Sequence, residues 1–449
     1  MLIIVPLQKK GLGEGTVFTR REFLERAGMA AGARLAGNGN LLAFAGPGKM
    51  WDEPASPELL ERARTLLEKA PLIDTHNDLP EMLVGKGADV ARFDLSKVQK
   101  QLCADLPRMR EGRIGAQYWS VYVDSATQKT RTSLHEAVRT FDVALRVIRS
   151  QPDFAQARTT GDIEQIHKSG KIACLLGVEG GYMIENSAAA LRVFYELGAR
   201  YMTLTHWDNI DWADSATDRV EHYGLTAFGK QVVQEMNRIG MFVDLSHVSA
   251  DTMRDALSVS KAPAIFSHST SYAIDPHPRN APDDVLRMLK ANGGVIHVNF
   301  IRDFVAPTNA EWSAKREAAL RELHLKFATD AEVEKGIKEW EKQNPYPQPG
   351  IKDVADHIDH IREVAGIDHI GIGADFYSAS DESMVDGLGD VTRYPYLFAE
   401  LLRRNYSDED VLKIAGRNHL RAMRQMESVA TELQKTEPAF LGEGVAKPA

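Results

Sequence analysis

The sequence is poor in cysteine, in uninterrupted apolar runs and in excess positive charge, and each shortage removes a class of protein. Two cysteines, Cys103 and Cys174, stand among 449 residues. They are too few for a disulfide framework and lie in no C-x-x-C spacing, so each reads as a buried structural thiol. No apolar run approaches the roughly 20 residues that a membrane-crossing helix needs, and no mature membrane span is expected. The formal charge is -9, whereas a nucleic-acid partner requires a basic face. A full G-x-G-x-x-G fingerprint is also missing. Gly371-Ile372-Gly373 lacks the third glycine and comes late in the chain, which argues against a doubly wound, dinucleotide-binding sheet. No G-x-S-x-G elbow occurs and Cys174 lies inside an apolar run, so serine or cysteine catalysis has no support.

What is present is an apolar content of 43%, enough to bury a large core in one barrel domain or in two to three smaller ones. Eight short apolar runs can be counted, at 71–78, 115–123, 171–178, 199–205, 241–246, 263–267, 294–300 and 369–374. Most gaps between them carry helical periodicity, as at 134–149, 187–198, 225–239, 283–291 and 352–365. Strands alternating with helices pair in parallel, and eight such units predict an α/β fold, the (β/α)8 barrel. A charged segment at 301–350 predicts a helical insertion between strands seven and eight. The barrel is expected over 50–425 and a loose C-terminal tail over 426–449. At the other end, Thr19-Arg20-Arg21-Glu22-Phe23-Leu24, a weakly apolar Ala/Gly-rich stretch and Ala43-Phe44-Ala45 read as a twin-arginine export signal within 1–45. That signal implies a periplasmic or secreted protein, and a cytoplasmic one if the N-terminus is an ordinary helical or disordered segment.

Active sites of such barrels lie where the strands exit. The first run ends in His76-x-Asp78, a pair that proves little alone, but the third ends in Glu179, the fourth in His206, the fifth in His247, the sixth in His268 and the eighth in Asp375. Four of the 14 histidines thus share one rim position. Imidazole and carboxylate donors suit Zn2+ or a similar divalent ion. His76, Asp78 and Glu179 can hold one ion, and Glu179, His247 and His268 another, with Glu179 bridging. Two such ions can share a water, lower its pKa towards neutrality and polarise a carbonyl beside it. Asp375 then takes the place of general base and acid, and His206 can donate to an oxyanion. In His277-Pro278-Arg279-Asn280, a loop stiffened by proline, Arg279 can be held over the site to pair with a substrate carboxylate; it also reads as an exposed loop arginine ahead of a helix starting near Pro282, and both can hold. His297, inside the seventh run, reads as a core histidine.

With these residues in place the chain resembles the membrane (renal) dipeptidase family, zinc dipeptidases of the amidohydrolase-like barrels. The resemblance covers about residues 60 to 425. It rests on IDTHND at 73–78, GVEGG at 177–181, LTH at 204–206, WADS at 212–215, DLSHVS at 244–249, SHS at 267–269, HPRN at 277–280 and GIGADF at 371–376. It implies two Zn2+ per chain. His76 and Asp78 hold one, His247 and His268 the other, and Glu179 bridges. It also implies substrate or oxyanion contact by His206, carboxylate recognition by Arg279, proton transfer by Asp375 and a homodimer. The chain departs from the family at Trp207-Asp208-Asn209-Ile210-Asp211, where a less acidic, Asn-rich run is expected, and in its long insertion. The activity expected is hydrolysis of dipeptides with a free C-terminal carboxylate. The alternatives are a metal-dependent hydrolase of N-acyl amino acids or β-lactams, or a non-catalytic metal-dependent binding protein.

Overall fold

A parallel barrel strand is covered on both faces, by the barrel interior and by its helices, so it is apolar throughout rather than alternating. The computed structural model, which describes residues 55–442 except 328 and 380, shows this directly. All eight residues of Ile172–Glu179 are buried, as are all nine of Ile114–Tyr122. The strands are β1 (Leu72–Asn77), β2 (Ile114–Tyr122), β3 (Phe154–Gln156), β4 (Ile172–Glu179), β5 (Ala199–Thr203), β6 (Phe242–Asp244), β7 (Ile265–Phe266), β8 (Val295–Val298) and β9 (Ile370–Ile372). Their order is β2-β1-β9-β8-β7-β6-β5-β4, and β4 pairs back to β2, so eight parallel strands close on themselves. The short β3, which the sequence does not announce, only adds a few pairs beside β4. The fold is the α/β, (β/α)8 barrel.

The helices between strands follow local signals. Ala227–Ile239 opens on Thr226, whose side chain accepts from Gly229 N, and stops at Gly240 in the left-handed region. Its buried side includes Val232, Val233 and Met236. Two glycines make room inside the barrel. A Cβ at Gly177 would stand 1.9 Å from the Tyr201 ring, and one at Gly371 would stand 2.3 Å from the His297 ring.

Between β8 and β9 lie helices Pro307–Lys326 and Asp330–Gln343, the expected insertion. Residues 310–345 fall in one compact unit, and residues 55–309 with 346–442 in the other. Within the first, Trp312 and Trp340 pack at 5.7 Å and Trp312 Nε1 donates to Asn344 O at 2.7 Å. The C-terminus differs from expectation. Asn418–Thr436 is one helix, with Met426, Ala430 and Leu433 buried, so 426–436 is not a loose tail. Its buried stripe is narrow and its composition polar, which hides it in the sequence. The export signal read at 1–45 lies outside the described residues. Among the described residues no helix is long and apolar enough to cross a membrane.

Candidate metal centre

Each rim residue predicted from the sequence arrives at the strand exits, although not always by the route expected. Strand alternation was the reason to pair His76 with Asp78, yet β1 ends at Asn77 and its register with β2 shifts after Asp74. Asp78 is instead the residue that opens helix Leu79–Gly85. Glu179 is the last residue of β4, and Ser120 Oγ donates to its Oε2 at 3.2 Å. His247 and Asp375 lie three residues beyond β6 and β9, and both have left-handed φ, 69° and 65°. His and Asp tolerate that region better than bulky residues but still at a cost. At His247 the conformation is held from outside. Its carbonyl accepts from Ala216 N at 2.8 Å, Thr205 Oγ1 at 3.2 Å and Ser215 Oγ at 3.3 Å.

The side chains converge on one carboxylate oxygen. Glu179 Oε1 lies 3.4 Å from His76 Nε2, 3.4 Å from His206 Nε2, 3.2 Å from His247 Nε2 and 3.6 Å from His268 Nε2. His76 Nε2 is also 3.5 Å from Asp78 Oδ1 and 3.8 Å from Asp375 Oδ1. Three sets of buried donors each fit within 4.8 Å: His76, Asp78 and Glu179; Glu179, His247 and His268; and His76, His268 and Asp375. The first two are the sets read from the sequence.

Hydrogen bonds behind the rim orient two of the imidazoles. Ser267 Oγ donates to Asp244 Oδ2 at 2.6 Å, so toward His268 Nδ1, 2.8 Å away, it acts as acceptor. Tyr201 OH donates to Thr75 O at 3.1 Å and is likewise left to accept from His76 Nδ1 at 2.9 Å. Both rings therefore carry a proton on Nδ1 and turn Nε2 to the cluster, the atom through which a metal would be held. Asp244 is itself fixed by Thr203 Oγ1 at 2.6 Å and by Ser246 N and Ser267 N. Burial, then Arg279 and His206, push His247 well below the ordinary imidazole range, and burial, then His76 and His247, do the same for His268. At His76 burial acts downward but is outweighed by Tyr201, Glu179 and Asp78, which hold it above that range.

The residues fit a metal. His76 Nε2 is fully buried and faces the Glu179 and Asp78 carboxylates, and an ion there would take the place of the proton that those carboxylates favour on the imidazole. His247 and His268 bring their Nε2 atoms to 2.9 Å of each other. Mixed imidazole and carboxylate donors around shared points are the donor set of a borderline divalent ion such as Zn2+.

Around the cluster stand two aromatic residues to which the sequence reading gave no role at the site. Tyr122, at the exit of β2, packs on the His206 ring at 4.7 Å, and Trp207 stands edge-on to His247 at 4.9 Å. Arg279 is 1% exposed, so it is not an exposed loop arginine. Its Nη2 donates to His268 O at 3.4 Å, and its Cζ lies 5.4 Å from the Phe304 ring and 5.9 Å from the Trp207 ring. Helix Asp283–Asn292 does begin just after it. His297 is a satisfied core histidine, bonded to Phe266 O at 2.7 Å and His419 Nδ1 at 3.1 Å. Cys103 and Cys174 are free, buried thiols. Only the strand-end position of Tyr122 marks it in the sequence. Asp244 and Ser267 open the DLSHVS and SHS motifs, but nothing in the sequence gives them or Tyr201 this role, because it depends on neighbours across the barrel.

The family model "Membrane dipeptidase (Peptidase family M19)" matches residues 60–437. Dipeptidase verJ of Clonostachys rogersoniana is 38% identical over 398 residues, covering 86% of this chain and 91% of the relative. Among solved structures, the probable dipeptidase PvdM from Pseudomonas aeruginosa superposes with a TM-score of 0.72 at 23% identity, over 84% of this chain and all of that one (100%). A metallo peptidase from Rhodobacter sphaeroides, liganded with a phosphinate mimic of the dipeptide L-Ala-D-Ala, does so at 0.63 and 23%, over 80% of this chain and 99% of that one. At such identities these two structures speak to the fold alone.

Proposed function

Since the chain belongs to the membrane dipeptidase family, peptidase family M19, we propose that it is a binuclear zinc dipeptidase acting on dipeptides with a free C-terminal carboxylate. The observation that carries this reading is the sharing of Glu179 between the His76/Asp78 and the His247/His268 donor sets. When bound there, a pair of zinc ions supplies an activated water and polarises the scissile carbonyl. Asp375, 3.8 Å from His76 Nε2, accepts a proton from the attacking water and returns it to the departing amine. His206 donates to the oxygen that gains charge as the carbonyl carbon becomes tetrahedral. Arg279, withdrawn from solvent beside His268, pairs through its planar fork with the substrate carboxylate.

The experiment is metal analysis of the purified protein together with a panel of dipeptides, their amidated forms, N-acyl amino acids and a β-lactam. Two zinc ions per chain, loss of activity on chelation and preference for free dipeptides are expected. Asp375→Asn should lower kcat by orders of magnitude with zinc still bound. N-acyl amino acids and β-lactams also offer a carboxylate to Arg279, so faster turnover of either replaces the dipeptide assignment. Indifference to amidation removes the role of Arg279. For location we propose twin-arginine export, which carries a protein folded and metal-loaded. Replacing Arg20 and Arg21 by lysine should then retain it in the cytoplasm.

A further inference from the structure

Arg279 is not alone among buried polar groups at the strand exits. Val295, His297 and Asn299 occupy alternate positions along β8 and just past it, and so share a face. His297 looks into the barrel, where its ring lies 5.1 Å from that of His419 and fills the space beside Gly371. Asn299 stands one layer closer to the rim. The ladder runs on past Val298, since Gly373 N donates to Val298 O at 3.1 Å and Phe300 N to Ala374 O at 3.2 Å. Asn299 is thereby set between His268 on one side and the Ala374-Asp375 end of β9 on the other. Its Nδ2 donates to His268 O at 3.5 Å, the carbonyl that also accepts from Arg279 Nη2 at 3.4 Å. The side chain is completely buried, and its Oδ1 has no hydrogen-bond partner among the described residues. Because the amide turns its NH2 group to a carbonyl, the oxygen faces away from it. A buried acceptor left without a donor is destabilising, so one held in such a place calls for a donor.

We propose that Asn299 is a substrate-binding residue whose Oδ1 accepts a hydrogen bond from the N–H of the scissile peptide group. The inference rests on the dipeptidase reading. Of the groups on a dipeptide, the carboxylate at Arg279 and the reacting carbonyl are acceptors, and the free ammonium lies on the far side of that carbonyl. The peptide N–H is the donor between carboxylate and carbonyl, and Asn299 stands beside both Arg279 and the Asp375 end of β9. During hydrolysis the C–N bond breaks, the oxygen of water stays on the acyl carbon, and the proton that Asp375 took from that water passes to nitrogen. Holding the N–H fixes where the nitrogen lone pair points as it receives that proton.

The test compares Ala-Ala, in whichever stereochemical form is cleaved faster, with alanyl-lactate, its ester analogue with oxygen in place of N–H. Wild type and Asn299→Leu are assayed on both. Expected is a loss in kcat/KM of about tenfold or more on the dipeptide, with the ester changed by less than about threefold. The amide-to-ester ratio does not depend on how much of the variant is folded and metal-loaded, and Asn299→Ala, read the same way, serves if the leucine variant does not accumulate. Equal losses on both substrates, or no loss on either, overturn the proposal. A zinc-loaded wild type inert to both overturns the dipeptidase reading instead.

Discussion

Ser267 supplies no ligand, yet it decides which nitrogen His268 offers. Its own proton goes to Asp244, so it accepts from Nδ1 and leaves the Nε2 lone pair to the cluster. Replacing it by alanine removes the acceptor and frees the ring to turn or to change tautomer. Loss of such a partner weakens metal binding by about 10- to 100-fold. Ser267→Ala is expected to fall in that range in a zinc competition with a chromophoric chelator, and unchanged affinity would show the bond to be incidental. Asp275 gives a second residue-level prediction. It is 1% exposed and neither carboxylate oxygen has a hydrogen-bond partner among the described residues. Burial, and then Asp303, raise its carboxyl to about 7, against about 3.9 in an unfolded chain. An acid whose folded value is raised keeps its proton where the unfolded chain has lost it. Its contribution is therefore most favourable below about pH 4 and is lost as pH rises through about 7. Asp275→Asn should stabilise the protein more at pH 8 than at pH 5, by a difference on the order of 2 kcal/mol. Denaturant unfolding at the two pH values reads this, and an equal effect at both would refute the assignment.

The C-terminal helix Asn418–Thr436 shows how an element is built from a stripe too thin to read. Asn418 donates to Ile367 O and Ile370 O, His419 bonds Tyr118 OH at 2.8 Å, and Met423 and Met426 join the core with Val295 and Phe242. Met426→Ala should therefore cost about 2–5 kcal/mol, measured by thermal or denaturant unfolding. A cost near zero would return residues from 426 onward to the status of a tail. The eight barrel strands were legible because burial on both faces makes each an apolar run. The helix was not, because one buried residue in three or four among Glu427, Glu432, Gln434 and Lys435 resembles a solvated segment. The same contrast holds at the site. Histidines and carboxylates at strand ends announce themselves by chemistry and position, which is why His76, Asp78, Glu179, His247 and His268 could be named. Asn299 occupies the same rim position on β8, but asparagine at the end of a strand is commonplace. Its unmet oxygen is visible only once His268 and Arg279 stand beside it.

At the scale of the whole chain, the cluster concentrates a cost that the rest of the fold must carry. Asp78, Glu179 and four histidines are gathered with no side chain more than 1% exposed, and Asp375 joins them at 4%. Buried polar and charged groups are tolerated only when paired or bound to an ion. The donors come from strands that span β1 to β9, so a ligand bound among them ties together segments some three hundred positions apart, as the run from His76 to Asp375 shows. A ligand that binds the folded chain and not the unfolded one adds stability by mass action, roughly 4 kcal/mol when present at about a thousand times its dissociation constant. For a protein of this size that corresponds to a fall in Tm of several degrees or more when zinc is stripped. Thermal scans with chelator and with added zinc should show that gap. The gap should close in a variant carrying both His76→Ala and His247→Ala, which disables each donor set while leaving the barrel core intact. If stripping the wild type leaves Tm unchanged, or if the double variant keeps the full zinc response, the ion binds somewhere other than the strand exits and Glu179 is not its bridge.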